Sequence, residues 1–330
     1  MHRRYNSVFL SPFLKRMAFT TVFNPGSSRR MPLIKILMVL VVVLYAPIMA
    51  HAFAPGKDTS YIGEYPQRIM VTGLIQTNWL YLQHKDVQYA PGVPLNIGIG
   101  FAIKNTVINF SGSYGIVPLA SKEKLRSKII DFRVHRYSRQ FILDILFQRY
   151  QGFDLKGPER SPQTFGDLAV MQIGAEGTYM FNGKKFSAKA AFEQSEIQRR
   201  SAGSPLLTAG MVYAKLVNGI SAFKDAPTNV ENMQISISGG YAYSWVLDDH
   251  WLASGMATAG LGLGNELSLL RNARMKVYPT VMARGALGYH RSDWGAYFSF
   301  YINQKPFYLE AANDVSVATL RMQFSYVKHF

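Results

Sequence analysis

Cysteine is absent from the 330 residues of the chain, and only 17% of them are charged. Without cysteine the protein has no disulfide framework, no Cys-based zinc site, no thiol nucleophile and no lipid-modified N-terminal cysteine. The low charged fraction, together with 13% aromatic residues, argues against intrinsic disorder. Acidic residues are also scarce, 20 against 36 Lys and Arg, and the net charge of +16 raises the question of nucleic-acid binding.

Much of that charge lies in residues 1–52, which hold seven basic residues and no acidic one. An apolar block from Ile36 to Met49 follows the basic residues and ends in Ala50-His51-Ala52. A basic region, an apolar region and a small-x-small exit are the three parts of a secretory signal peptide. We therefore predict an N-terminal extension and signal peptide over 1–52, cleaved after Ala52. An uncleaved anchor helix is the alternative, but the block is short for a membrane span. Three methionines are candidate translation starts: Met1, Met17 and Met31.

The chain after the signal peptide has no run of 18 apolar residues, which excludes a transmembrane helix there. Export argues against a nucleic-acid partner.

Large apolar residues alternate with small or polar ones over long stretches of the exported chain, for example along 95–103, 233–247 and 319–326. On a strand, such alternation places the two kinds of side chain on opposite faces. The stretches are long, their polar face is rich in Gly, Ser, Asn and Gln, and aromatic residues cluster near their ends. These features favour an antiparallel transmembrane β-barrel over a soluble β-sandwich.

The number of strands is the open point of this prediction. Thirteen candidate strands can be drawn, including 184–194 and 205–217, with Asn182-Gly183 as a tight hairpin turn between two of them. Bacterial single-chain barrels normally have an even number of strands. Either 205–217 is not a full crossing, which gives twelve strands, or a further crossing lies within 195–231, which gives fourteen. We expect twelve, with a short periplasmic segment over 53–66 and the barrel over 67–330.

Two segments of the predicted barrel resemble a known family. They are the motif DFRVHRYSR at 131–139 with FQRYQGF at 147–153, and NGKKFSAKAAF at 182–192 with RRSAGS at 199–204. Both resemble the family catalogued as domain of unknown function 4421, whose members are secreted and β-rich. The resemblance implies a Bacteroidota host and an outer-membrane or envelope location. It implies no catalytic or ligand-binding residue.

Strand parity predicts a band of mixed charge facing the lumen. Its members are Asp131, Arg133, His135, Asp144, Gln148, Glu176, Lys185, Lys189 and Glu193. Isolated charges in a low-dielectric interior are costly, so we expect these groups to be paired. A salt-bridged network that fills a narrow barrel is the main interpretation. There are two alternatives. The band could line a permeation path, or it could form an active site with His135 as base and Asp131 or Asp144 as its orienting carboxylate. No motif for a metal or another cofactor is present.

Two further predictions concern the surface. Four basic residues of a predicted extracellular loop are candidates to contact phosphates of lipopolysaccharide and other outer-membrane lipids: Lys122, Lys124, Arg126 and Lys128. Phe324, Tyr326 and Phe330 resemble the C-terminal signal that the barrel assembly machinery reads. We therefore expect an outer-membrane barrel that serves as a narrow channel or a structural envelope protein. A barrel enzyme acting on lipid or peptide, and a soluble periplasmic β-protein, are the alternative functions.

Overall fold

The structure is a computed structural model, and it describes ten stretches of the chain. These are residues 56–84, 87–91, 95–103, 106–113, 127–156, 164–217, 229–266, 270, 274–306 and 315–330. The predicted signal peptide with its exit residues Ala50 and Ala52 lies outside these residues, as do Lys122, Lys124 and Arg126. No helix in the described part of the chain is long and apolar enough to cross a membrane.

Twelve long antiparallel strands close into a barrel, which confirms the predicted fold class and strand number. In chain order the elements are β1 (Ile62–Gly63), β2 (Ile69–His84), β3 (Val87–Pro91), β4 (Leu95–Ile103), β5 (Thr106–Ser113), β6 (Lys128–Tyr137), β7 (Phe141–Lys156), β8 (Thr164–Met180), α1 (Ala188–Glu193), β9 (Ile197–Gln198), β10 (Ala202–Val217), β11 (Asn229–Val246), β12 (Trp251–Glu266), β13 (Lys276–His290), β14 (Trp294–Pro306) and β15 (Val315–His329). The ring runs β2-β4-β5-β6-β7-β8-β10-β11-β12-β13-β14-β15, and β15 pairs with β2 to close it. Closure leaves no unpaired edge in the ring.

Side chains along the wall alternate between the two faces, as the period-2 pattern predicts. On β4, Ile99 and Phe101 point outward and are about half exposed, whereas Asn96 and Ala102 point inward and are buried. The same arrangement recurs on β6, where Ile130 and Phe132 point outward. The outer surface is therefore apolar and the inner surface small or polar, which is the reverse of a soluble protein and suits a lipid environment.

The two ends of the barrel differ in the lengths of their connections. At one end, which we call the short-turn end, four connections are two to four residues long: 104–105, 138–140, 247–250 and 291–293. The first residue of the first barrel strand, Ile69, and the last residue of the last one, His329, also lie at this end. At the other, the long-loop end, connections run up to 14 residues, as between β5 and β6. The strand β3 also lies at this end. It pairs with the last residues of β2 and of β7, and so bridges the gap above the shorter strands β4, β5 and β6.

The predicted strand over 184–194 is wrong, and so is the tight hairpin at Asn182-Gly183. Residues 181–201, which connect β8 to β10 at the short-turn end, fold inward instead, and we call them the plug. The plug contains the helix α1 and the short strand β9. The segment 205–217, which was the suspected incomplete crossing, belongs to β10 and pairs along its length with both β8 and β11. Twelve is therefore the correct number, but the segment that does not cross is the plug.

Two apolar clusters occupy the lumen, one toward each end. The plug-side cluster joins Phe186, Ala188, Ala191 and Phe192 of the plug to inward side chains of the wall such as Met70. The loop-side cluster contains wall residues and β3 only: Leu80, Leu82, Tyr89, Ile129, Tyr150, Phe153, Leu168, Val170, Leu216, Val230 and Val317. Along a strand that contributes to both clusters, the inward residues pass from one cluster to the other through a polar stretch. On β6 that order is Tyr137, then the charged residues, then Ile129.

Candidate functional site

The charged residues predicted from strand parity lie in a polar band at mid-height in the lumen. Three successive inward-facing positions of β6 are occupied by Asp131, Arg133 and His135, and all three side chains are buried. The next strand, β7, adds Asp144 and Gln148, which lie directly opposite His135 and Asp131 in the strand register. The register of one hairpin therefore assembles the core of the band.

Asp131 is the centre of one half of the band. Its carboxylate accepts a hydrogen bond from Arg133 Nε at 2.9 Å and another from Gln148 Nε2 at 2.9 Å. Arg321 of β15 approaches the same carboxylate at 3.7 Å from across the lumen. The two guanidinium groups also lie 5.7 Å and 5.2 Å from the ring centre of Tyr301, so the aromatic ring offsets part of their mutual repulsion.

His135 and Asp144 form the second pair of the band. His135 Nδ1 lies 2.5 Å from Asp144 Oδ1, so the carboxylate orients the imidazole as it would orient a catalytic base. The cavity beside His135 has a volume of about 30 Å³, and its lining includes Ser111, Arg284 and Arg321. A space of that volume holds a few waters at most, and neither an acyl chain nor a peptide fits it. The geometry therefore supplies an oriented histidine without room for a substrate.

A third set of charges fastens the plug to the wall. Arg284 Nη2 of β13 donates to Glu193 Oε1 of α1 at 3.1 Å and to the carbonyl oxygen of Phe192 at 3.4 Å. The Arg284 guanidinium also lies 4.2 Å from the ring centre of Phe192. From the opposite wall, the Tyr137 hydroxyl donates to Glu193 Oε1 at 2.9 Å. Two walls of the barrel thus hold one carboxylate at the end of the helix.

Glu196 organises the plug internally. Its carboxylate accepts hydrogen bonds from Arg139 at 2.5 Å, from the Ser187 hydroxyl at 2.5 Å and from Lys189 at 3.1 Å. Burial alone would raise the pKa of this carboxyl, but Lys189 and Arg139 hold the pKa below its usual value. Ser187 also caps α1, because its Oγ accepts the backbone N–H of Ala190 at 3.2 Å. One buried acid therefore links the cap, the helix and the wall.

The helix ends at Gln194, the one non-glycine residue with positive φ in the described part of the chain (φ 54°). Its side-chain amide rests on the wall, where Nε2 donates to the carbonyl oxygens of Tyr289 and Ala296 at 3.4 Å each. Gly288 and Gly295 make room for it, because a Cβ at either position would come within about 2.2 Å of the amide (2.1 Å and 2.2 Å). These wall glycines serve as the seat for the end of the plug.

Not every predicted lumen residue lies on the wall. Lys189 and Glu193 are buried inside the barrel as predicted, but on α1 and not on a strand. Lys185 was predicted to face the lumen, and this is wrong: it is exposed, 5.0 Å from the ring centre of Tyr61. Because 184–194 turns inward as a helix, strand parity does not apply to it. Glu176 lies on β8, directly opposite Asp144.

The residues assigned to the surface from the sequence lie on the outside of the barrel where the structure describes them. Lys128 is exposed at the start of β6. Phe324, Tyr326 and Phe330 point outward and are about half exposed or more. Aromatic side chains of β12, β13, β14 and β15 contact one another on the outside of the short-turn end. The contacts are Trp251–Tyr289 at 5.2 Å, Tyr289–Trp294 at 5.6 Å and Trp294–Tyr326 at 5.9 Å between ring centres. A band of Trp and Tyr is typical of the membrane–water interface.

Several residues of the site were not singled out from the sequence. Arg284, Arg321 and Tyr301 complete the band, and Glu196 with Arg139 completes the plug. Parity alone places Arg321 on the polar face of its strand. Its pairing with Asp131 depends on which strands face each other across the closed barrel, and the sequence pattern does not contain that information.

Comparison with known proteins identifies the family. The model of a family described as a domain of unknown function (DUF4421) matches residues 56–326. The chain belongs to this family. The resemblance inferred from the motifs at 131–153 and 182–204 is therefore confirmed. No curated protein matches the sequence.

Solved structures of outer-membrane proteins resemble this DUF4421 barrel at low identity. A bacterial polysaccharide outer membrane secretin is 8% identical, with 80% of this chain and 99% of that chain covered and a TM-score of 0.39. The translocator domain of the autotransporter NalP from Neisseria meningitidis is 14% identical, with 80% and 88% covered and a TM-score of 0.39. The β-domain of the Bordetella autotransporter BrkA is 12% identical, with 79% and 99% covered and a TM-score of 0.35.

Proposed function

We propose that this protein is an outer-membrane β-barrel whose lumen is closed in its resting state, and that it acts as a structural protein of the envelope and not as an open pore. The observation that carries the proposal is the filled lumen. A plug with an apolar cluster, a band of ion pairs and a second apolar cluster are stacked along the barrel axis. Two cavities among the described residues of the polar band each have a volume of about 30 Å³, which is room for a few waters at most.

The exterior supports a membrane location. Large apolar side chains are exposed on the outward positions of the strands, and an aromatic band lies on the outside of the short-turn end. Short turns and chain termini on one side, with longer connections on the other, are typical of periplasmic and extracellular ends respectively. We therefore orient the plug toward the periplasm. Export through a signal peptide cleaved after Ala52 belongs to this proposal.

Conductance across a planar bilayer tests the closed lumen. The full chain, purified in detergent and inserted into a lipid bilayer, is expected to give no steady current at moderate voltage. Fractionation of the host membranes and heat-dependent gel mobility serve as the control for a folded, membrane-embedded barrel. A folded protein that conducts steadily would overturn the closed state and favour the narrow channel.

A further inference from the structure

A cleft lies at the short-turn end, outside the plug. The N-terminal residues 56–68, which we call the strap, run across this end and are fastened to the plug: β1 pairs with β9, and the backbone N–H of Arg199 donates to the carbonyl oxygen of Tyr61 at 2.7 Å. Between the strap, the plug and the ends of the wall strands remains a cleft of about 430 Å³. Its volume falls in the range of small-molecule binding sites and is more than ten times that of either cavity in the lumen.

Four residues that line this cleft each carry a buried polar atom for which the described part of the chain offers no hydrogen-bond partner. The four atoms are Tyr65 OH, Gln67 Oε1, Ser195 Oγ and His329 Nε2. Tyr65 and His329 are more than nine-tenths buried, at 8% and 5% exposure, and their rings stack at 3.9 Å between centres. Buried polar groups in folded proteins are normally satisfied, so four such atoms around one cleft point to a ligand that supplies the missing partners.

The charges of the cleft select against an ionic ligand. Two acids and two bases line it: Glu64, Glu196, Arg68 and Lys189. Glu64 is paired with Lys57, and Glu196 is paired with both Lys189 and Arg139. A phosphate or carboxylate would meet these two acids, and a cation would meet the two bases. The formal charge of the lining is zero, which suits a neutral ligand.

We infer that this cleft binds a neutral ligand with the chemistry and size of an N-acetylated amino sugar. Sugar hydroxyls both donate and accept, as the hydroxyls of Tyr65 and Ser195 require, and Gln67 Oε1 needs a donor such as a hydroxyl or amide N–H. The apolar part of the lining, which includes Ile69, Met70 and Ala102, fits the apolar face of a sugar ring. The cleft shares no lining residue with the two cavities of the polar band, so the inference stands whether the barrel is closed or conducts.

Calorimetric titration of the full chain with N,N′-diacetylchitobiose tests the inference. The protein is kept in lauryldimethylamine oxide micelles, because a sugar-based detergent would compete. Saturable binding is expected, and Tyr65→Phe and Ser195→Ala are each expected to weaken it about tenfold, the effect of one lost hydrogen bond. Tyr241→Phe and Ser292→Ala, which remove the same hydroxyls from exposed residues that do not line the cleft, are expected to leave the affinity unchanged.

Two comparison probes and a folding control complete the experiment. Glucose 1-phosphate tests an anion site, and N-acetylalanine methylamide tests a peptide site. Tighter binding of either probe, absence of saturable chitobiose binding, or an unchanged affinity in both cleft variants would overturn the inference. Heat-dependent gel mobility equal to that of the wild type shows that each variant is folded, so that a lost affinity reports on the cleft.

Discussion

The two ends of the lumen are closed by different means. At the long-loop end, side chains of the wall and of β3 meet in the loop-side cluster. At the short-turn end, a separate segment enters the barrel and is held by a cap, a seat on two glycines and ion pairs to two walls. The first closure follows from the strands themselves. The second depends on a few specific contacts, and these are more easily removed by single substitutions.

The largest expected effect comes from removing both closures. Joining Gly183 directly to Ser201 deletes most of the plug, and Tyr150→Ala with Phe153→Ala opens the loop-side cluster. Because the closures lie in series, we expect each change alone to leave the bilayer current at background and the combined variant to conduct. Planar-bilayer recording measures this. A steady current from the plug deletion alone would show that the loop-side cluster does not close the barrel.

Arg284 is the next test, since it holds the plug to the wall. Arg284→Met removes the partner of Glu193, which stays buried, and the expected loss is about 3–5 kcal/mol in the free energy of unfolding. Adding Glu193→Gln is expected to recover much of that loss, because no unpaired charge then remains. Unfolding by urea in micelles measures both variants. Arg291→Met, at an exposed turn of the same end, is the matched control and should change stability by about 0.5 kcal/mol or less.

Acid is expected to loosen the plug before the loop-side cluster. The pKa of Glu196 is held below its usual value by Lys189 and Arg139, so its ionised form stabilises the fold above the unfolded pKa. That contribution is lost as the pH falls through the folded pKa. The described residues that form the loop-side cluster are aliphatic or aromatic, so its packing does not depend on an ionised carboxylate. Amide hydrogen exchange, corrected for its intrinsic pH dependence, should show faster exchange at Ala191 below about pH 4. Glu196→Gln should remove most of this pH dependence, and an equal acceleration in the loop-side cluster would contradict the prediction.

The same comparison shows what the sequence could predict. The wall strands alternate with period 2 because one face meets lipid and the other the lumen, so their positions and the inward direction of Asp131, Arg133 and His135 could be inferred. The helix α1 has only six residues, fewer than two turns, and all of them are buried although Lys189 and Glu193 are charged. A helix without an amphipathic pattern gives no periodic signal. The available hints were local: Ser187 as a cap and the alanines at 188, 190 and 191.

The pairing across the lumen could not be inferred either. Arg284 and Glu193 are 91 positions apart in the chain, and they meet only because the plug enters the closed barrel. Parity places Arg284 inward, but it does not say at which height or opposite which partner. The error over 205–217 has the same origin, since an odd number of apparent strands shows that one segment is misassigned without showing which one.

The smallest expected effect concerns the backbone at Gln194, where the plug turns back to the wall. A left-handed backbone costs a residue with a Cβ about 1 kcal/mol relative to glycine. Gln194→Ala keeps this cost and loses the two long hydrogen bonds to β13 and β14, so we expect a destabilisation of about 1 kcal/mol. Gln194→Gly loses the same bonds but relieves the backbone, and it should lie within about 0.5 kcal/mol of the wild type. Urea unfolding of the pair separates the two contributions. If the glycine variant is as unstable as the alanine variant, the seat on Gly288 and Gly295 holds the plug in place, and backbone strain at Gln194 contributes little.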